Sequence, residues 1–559
     1  MPRQARAGCR GLSLSRMSNL IAAMITRPIS KPTPGKRRTH TAGSAAILLM
    51  LSSIGSGLLA LVRIKYVNFL FGAGAAQDAY RAAFKLPDLL SYFLTGGAVA
   101  ISLITILNRY RERGDEEGAD RALSVVLTTM SVVLAAGVLV SEVIAPWYVW
   151  LANAGFRTDP LRAHLCTSLT RIILPAQLFF FIGSCMSARL QVRKIFIYQA
   201  GAPLVYNAGI ILGAVLLHRR MGVYSLAVGV LAGVLCGSLL LNSVGAFRTG
   251  LRFRPVIGFR DPAFLEWFRL TLPLMIGVSL VMFDGFFLNY FASIAKGGIT
   301  LIGNAKDLFN APFNVIGPAA GAASLPFFAS LFQQKRAHDF SASVGRSVSR
   351  LFAAGMLVSA WMIALAPWLL NLLKGGKFNR TDVLSVTSLF QIFSITLAIW
   401  AVQGIYARAF YAASDTTTPA VTGTLITILS IPMYWALFHA LGLTGLAIAS
   451  DIGMLVQTAA LAVLLHRKRL VSLRHLEFAE LGRALAAALA AFAAAHVCAN
   501  ALVSVLANAQ PGPAARLGGH LEALLIIAAG SLAWSLAALL ALLALRSRLP
   551  AQLLRLRPV

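Results

Sequence analysis

What most constrains this chain is a succession of long apolar blocks. Fourteen stretches of 20 or more predominantly apolar residues can be counted between residues 43 and 545, each long enough to cross the ~30 Å hydrocarbon layer of a membrane. Among them are 77–108, 264–293, 300–332, 416–438 and 442–465. Lipid offers no partner for backbone N–H and C=O groups, so every spanning block is predicted to be a helix. Composition agrees: 58% of residues are hydrophobic and only 13% charged, about half the charge of a soluble domain. The expected fold class is an all-α polytopic membrane protein.

The two halves repeat each other. Ala145-Pro146-Trp147 and Ala366-Pro367-Trp368 stand 221 residues apart, and so do Lys85 and Lys306. A short glycine-containing loop ending in phenylalanine follows each motif, at Gly155-Phe156 and at Gly375 to Phe378. Ala188-Arg189 and Ala407-Arg408 recur at nearly the same offset. Repeated bundles in membranes usually hold a substrate between them near the midplane and move against each other. The reading is 14 transmembrane helices in two pseudo-symmetric six-helix lobes plus two C-terminal helices. Its boundaries are a basic tail over 1–40, lobes over 41–247 and 262–467, a connector over 248–261, the last two spans over 468–546 and a second basic tail over 547–559.

The formal charge of +30 invites a nucleic-acid reading, but its distribution argues against one. With the N-terminus inside, roughly thirty Lys/Arg fall in the tails and alternate loops and fewer than ten in the opposite loops, as the positive-inside rule expects. These charges set topology and touch anionic lipid. Both termini are therefore expected on the cytoplasmic side. Five scattered cysteines and nine histidines show no disulfide or metal-ligand spacing, and no nucleotide or hydrolase motif is present. No metal and no other cofactor is expected.

Charges within spans cost at least about 2.5 kcal/mol each on insertion scales, so they face water or one another. Asp78, Arg81, Lys85 and Asp88 follow at steps of three, four and three, along one face of span 2. Arg63 and Lys65 precede them in span 1, Gly96 and Gly97 follow, and Pro87 is expected to bend the helix within the stripe. The second half offers Asp284, Lys306 and Asp307. Arg63, Arg81, Lys85 and Lys306 are the candidate substrate-binding cations. Asp78, Asp88, Asp284 and Asp307 are candidates for orienting them or for coupling. A net cationic cavity selects an anion, and arginine suits phosphate through its bidentate fork. The bland alternative is that the same residues are ion pairs tying helices together. Arg171 and Arg189 read as interface anchors.

Five motifs carry a family resemblance: Phe71 to Tyr80 (F-G-A-G-x-x-x-D-A-Y), Phe84 to Pro87 (F-K-L-P), Leu325-Pro326, Gly376 to Phe378 (G-K-F) and Phe410 to Pro419 (F-Y-x-x-x-D-x-x-T-P). Over about residues 43–470 the chain resembles the MurJ/MviN family, lipid II flippases of the multidrug/oligosaccharidyl-lipid/polysaccharide exporter superfamily. The resemblance implies two lobes in a V, alternating access, and a diphosphate held among cavity arginines, with Arg63, Asp78 and Lys85 matching charged cavity positions. There are departures. Gly57, Ser91 and Tyr92 stand where the family usually has arginines, Gly96 where it has a glutamate, and Asn310 at a later acidic position. Lys306-Asp307 reverses the usual D-R order, and Arg81 is an additional cation.

The resulting expectation is a bacterial inner-membrane flippase, not an enzyme, whose substrate is an undecaprenyl-diphosphate-linked glycan such as lipid II. Its other partners would be membrane lipids and cell-wall synthesis proteins, with no nucleic acid. Alternatives are a flippase for another polyprenyl-diphosphate glycan, or a transport-deficient membrane scaffold for cell-wall synthesis. A cationic-drug antiporter would want an acidic cavity. A membrane glycosyltransferase or hydrolase would need paired carboxylates or a nucleophile, which the chain does not show.

Overall fold

The computed structural model describes residues 42–94, 98–275, 280–508 and 519–550. The 1–40 tail, Gly96, Gly97 and most of the 547–559 tail lie outside the described residues. Among those described, the chain is helical, with an isolated Gly375–Phe378 bridge as its β-type pairing.

The first half begins with α1 (Ala42–Phe71) and continues through α2 (Ala75–Ala82), α3 (Lys85–Leu94) and α4 (Ala98–Glu112). Then come α5 (Glu116–Ala152), α6 (Pro160–Ile173), α7 (Ala176–Val192), α8 (Ile197–Met221), α9 (Tyr224–Val234) and α10 (Leu241–Arg248). A π-helix, Leu235–Leu240, joins the last two. The second half comprises α11 (Pro262–Met275), α12 (Leu280–Ala292), α13 (Gly298–Gln333), α14 (Ala337–Asn371), α15 (Arg380–Ile395), α16 (Leu397–Ala412) and α17 (Thr417–Arg467). Finally α18 (Phe478–Asn508) and α19 (Gly519–Ala544) pack on each other and on α14.

Local chemistry sets the boundaries. Asp115 caps α5 by accepting from Gly118 N at 2.7 Å, and Glu116 and Glu117 favour the positive end of the helix dipole. Asp159 caps α6, with Pro160 where its missing N–H is harmless. Asn379 and Asp382 form a reciprocal capping box on α15. Pro87 sits in the first turn of α3, and the helical break falls one turn earlier, at Ala83 and Phe84. The proline ring clashes with the carbonyl four residues back, so the bend precedes the residue that causes it.

By length and composition nine helices among the described residues can each cross a membrane, ten with the α15–α16 pair, which bends by 42°. The count of fourteen is not tested in full by the described residues, because 95–97 and 276–279 fall inside two of the blocks. Block 77–108 is broken between α2 and α3, at Ala83 and Phe84; α3 and α4, and α11 and α12 of block 264–293, are the described parts on either side of residues 95–97 and 276–279. Block 300–332 forms one long helix, α13, which carries Lys306 and Asp307. Blocks 416–438 and 442–465 are the two helical segments of α17, which meet at a kink at Gly442, whose φ of 59° is not helical.

At one end of the bundle a single apolar core joins both halves: Ile64, Val67, Ala79 and Tyr80 pack with Leu288, Phe291, Ile299 and Ile302. At the other end there are two cores. One, around Leu103, Leu123 and Phe181, takes in Phe264 and Trp267 of α11. The other, around Phe328, Val344, Ile405 and Leu465, belongs to the second half alone. The halves thus converge at the end carrying loops 72–74, 153–159, 293–297 and 372–379, and diverge at the opposite end.

Candidate functional site

The convergent end is closed by polar contacts between the halves. Asp78, fully buried on α2, accepts from Gly297 N at 2.6 Å, Thr300 N at 2.9 Å and Thr300 Oγ1 at 2.7 Å. A carboxylate of the first half therefore caps α13 of the second. Gly297 has φ +84°, and a Cβ there would come within 2.8 Å of Ala73 O. Gly72, at φ +65°, has the same constraint against Lys377 O at 2.6 Å. Only glycine permits both the dihedral and the approach. Lys377 N donates to Phe69 O at 3.0 Å, Gly155 N to Ser293 Oγ at 2.9 Å, and Asn289 Nδ2 to Asn153 Oδ1 at 2.8 Å. Arg162 Nη1 adds a bond to Ser293 O at 3.2 Å.

Beneath this closure lies a cavity of ≈450 Å³ between the halves, within the size range of small-molecule sites. Arg63 comes to it from α1, Arg81 and Lys85 from α2 and α3, and Lys306 from α13. Asp284 and Asp307 line it as well, so four cations face two carboxylates. Tyr206, Asn310 and Trp400 complete its polar and aromatic wall.

The four cations differ in engagement. Arg81 bridges the halves, with Nη1 2.9 Å from Asp307 Oδ2 and Nη2 2.5 Å from Asn304 Oδ1. Asn304 in turn donates to Asn68, which also accepts from Gln77 at 2.7 Å. Lys306 is held inside the second half. Its Nζ lies 3.0 Å from Asp284 Oδ2 and 3.1 Å from Ser450 Oγ, and 4.2 and 4.3 Å from the Trp400 and Phe393 ring centroids. Tyr434 donates to the other oxygen of Asp284 at 2.6 Å. Lys85 Nζ lies 5.3 Å from the Phe286 ring centroid, across the interface. Neither Arg63 nor Lys85 forms an ion pair among the described residues. These two are the cations whose charge is available to an anion in this state.

Three acidic positions differ from a simple orienting role. Asp78 is committed to capping α13, away from the cavity lining, because the helix N-terminus is the nearer positive partner. Asp88 faces an adjacent cavity, since the break before Pro87 turns α3 away from the stripe of α2. Asp307 ties Arg81 instead of Lys306, its sequence neighbour, because adjacent helical residues point apart. Arg189 is not an interface anchor: it is buried and bonded to Asp120 Oδ1 through Nε at 3.0 Å and Nη2 at 2.7 Å, beside Thr249. Arg171 is half-exposed near Glu142.

Sequence reasoning missed Asn68, Gln77, Asn304, Tyr434 and Asp451. Asp451, buried in α17, accepts from Thr396 Oγ1 at 2.5 Å beside the Lys306 cluster. An acid in the middle of an apolar block was the signal that could have found it. The amides and the tyrosine carry no comparable signal.

The family model for lipid II flippase MurJ matches residues 67–509. The chain belongs to the MurJ lipid II flippase family. This is a family of transporters, not enzymes, and the chain is accordingly a multi-pass membrane protein. The lipid II flippase MurJ of Burkholderia cenocepacia is 26% identical over 426 residues, covering 74% of this chain and 81% of that one. The probable lipid II flippase MurJ of Borreliella burgdorferi is 23% identical over 414 residues, with the same coverage of each, 74% and 81%. Among solved structures, a lipid II flippase MurJ in an inward closed conformation superposes with a TM-score of 0.68 at 19% identity, over 89% of this chain and 99% of that one. An inward-facing multidrug-resistance MATE transporter gives 0.60 at 15% identity, over 77% and 99%. At these identities the structural likenesses establish a shared fold, that of MurJ and MATE transporters.

Proposed function

We propose that this protein flips lipid II, the undecaprenyl-diphosphate-linked peptidoglycan precursor, from the inner to the outer leaflet of a bacterial cytoplasmic membrane. The observation that carries this is the convergence of Arg63, Arg81, Lys85 and Lys306, from both halves, on one cavity with an excess of two positive charges. That excess suits a diphosphate, and Arg63 supplies the fork that binds phosphate bidentately. The mobile units in this reading are lobes 41–247 and 262–467, joined by 248–261, with 468–546 as the appended helix pair. The basic 1–40 and 547–559 tails and both termini lie on the cytoplasmic side.

In this mechanism the diphosphate enters from the divergent end and meets Arg63 and Lys85 first. Its charge competes with Asp307 for Arg81 and with Asp284 for Lys306. Losing Arg81 as a partner weakens the tie between halves, so the closure made by Asp78, Gly72 and Gly297 can part and expose the cavity to the opposite face. Substrate thereby favours the conformation that releases it, as differential affinity requires. The driving force would be the membrane potential or an ion gradient, worth about 2.3 kcal/mol per charge per 100 mV.

Complementation tests the reading. Expression in a bacterium depleted of its own lipid II flippase should restore growth and outer-leaflet exposure of lipid II. A well-expressed protein that does neither would replace the flippase reading with that of a scaffold, or of a carrier for another glycan.

A further inference from the structure

Lys65 takes no part in the central cavity, because a step of two residues from Arg63 turns it to another face of α1. Its Nζ lies instead 3.2 Å from Nε2 of His520, the second residue of α19. That contact crosses between the halves. Trp361 Nε1 donates to Ser531 Oγ at 2.9 Å and Trp534 Nε1 to Leu357 O at 3.0 Å, so α19 is fastened to α14 and His520 is carried by the second half. The loop of residues 372–379 makes the third side. Its Lys377 N donates to Phe69 O, one turn beyond Lys65, and its exposed Lys374 lies within electrostatic reach of His520.

The chemistry of this junction is incomplete. An ammonium carries only donors, so His520 Nε2 accepts and the ring proton sits on Nδ1. Nδ1 is buried and has no hydrogen-bond partner. Neither Lys65 nor Lys374 has a carboxylate within ion-pair distance among the described residues, and Glu522, further along α19, is exposed and pairs with neither. Two ammonium groups and an unsatisfied N–H therefore converge from three elements with no negative group between them. A half-buried cation without counter-charge and a buried donor without acceptor are both costly, and both are relieved by one anion.

We propose that the junction of α1, the 372–379 loop and α19 binds a phosphate-class anion at the membrane surface. Lys65 stands within two turns of the end of α1, a depth from which a lysine reaches the headgroup layer. Basic pockets between membrane helices suit phosphate headgroups. One phosphate oxygen accepts from Lys65, the released imidazole turns to donate Nδ1–H to a second, and Lys374 adds charge from the rim. The site is distinct from the central cavity, which none of the three residues lines. An anion held by both halves adds to the closure beside the Phe69–Lys377 bond. Only this effect on closure rests on the flippase reading; the anion site stands without it.

Native mass spectrometry of the purified full-length protein, with phosphatidylglycerol or phosphatidylcholine added, tests the proposal. Wild type should retain phosphatidylglycerol the better, because the choline headgroup carries its own cation. Lys65→Gln should weaken retention about tenfold, the scale of a lost charge-assisted contact. His520→Leu should weaken it severalfold, and Lys65→Arg, which keeps the charge, should bind nearly as wild type does. Lys296→Gln removes an exposed lysine from another loop of the same end and should change nothing. Equal retention of the two lipids, or retention unchanged in both Lys65→Gln and His520→Leu, overturns the site. Inorganic phosphate is then titrated against bound phosphatidylglycerol. Displacement at concentrations equal to those of the lipid assigns the site to a soluble anion, and persistence of the lipid assigns it to a headgroup; either result keeps the site. A last arm measures the distance between spin labels at Leu161 and Lys296 in nanodiscs of each lipid. Phosphatidylglycerol should narrow the distribution toward the closed distance in wild type and not in Lys65→Gln. A distance indifferent to lipid, with retention intact, would count against the flippase reading and leave the anion site standing.

Discussion

Replacing Asp78 with asparagine should open the convergent end of the protein. The wild-type carboxylate accepts three hydrogen bonds, from Gly297 N, Thr300 N and Thr300 Oγ1, and is fully buried. Asparagine keeps the shape and one acceptor oxygen, which can retain the two Thr300 donors. Its amide nitrogen then faces Gly297 N–H, donor against donor. Leaving that buried donor unpaired costs about 1–3 kcal/mol, and removing the negative charge at the α13 N-terminus adds about 0.5–1 kcal/mol. The closed arrangement should therefore lose about 1.5–4 kcal/mol, a shift of roughly 10- to 900-fold in the closed-to-open ratio. Spin labels on exposed Leu161 and Lys296 would report the change as a new, longer distance population in electron–electron resonance. Thr300→Val, which removes only the hydroxyl donor, should give a smaller shift in the same direction. An unchanged distance distribution in Asp78→Asn, with transport intact, would refute the claim that this trans-cap holds the halves together.

Arg63→Ala or Lys85→Ala should abolish flipping while the protein inserts and accumulates normally, and Arg63→Lys should restore it only in part because the ammonium lacks the fork; lipid II exposure on the outer leaflet is the readout. Arg81→Asp and Asp307→Arg should each destabilise the closed form by about 1–2 kcal/mol, since the pair is only partly shielded, at 18% and 38% exposure. Combining the two swaps should recover most of that loss in the same distance measurement. Tyr434→Phe removes the donor to Asp284 and should lower stability by about 1 kcal/mol, read as a fall in the temperature of thermal unfolding. Asp415 lies in the loop before α17; burial pushes its carboxyl up, but Lys468 at 2.6 Å and Thr418 outweigh that and hold it below the ordinary range. A depressed acid stabilises the fold above its unfolded pKa and loses that contribution as pH falls through the folded value. The unfolding temperatures of wild type and Asp415→Asn should therefore differ near neutral pH and converge in strong acid.

The sequence by itself determined the class of fold, because apolar blocks that long can satisfy their backbone in lipid only as helices. It also indicated which positions matter at the interface between the halves. Charges are too costly to leave facing lipid, so Arg63, Arg81, Lys85, Lys306 and Asp307 could be assigned to a wet or paired environment before any coordinates. The structure gathers all five around one cavity. What the sequence could not supply was the partner of each charge. Lys85 and Lys306 hold equivalent places in the repeat, yet one lies by Phe286 across the interface and the other is enclosed with Asp284 and Ser450. Asp78 and Asp88 read as members of one stripe, but the break before Pro87 sends the first to a helix terminus of the other half and the second into a separate cavity. Periodicity fixes which face of a helix a residue occupies. Partners come from other elements, some within the same half, as Lys306 and Asp284 are, and some more than 200 residues away, as Arg81 and Asp307 are, and only tertiary packing brings such groups within the 3 Å at which charge and hydrogen bonding decide the pairing.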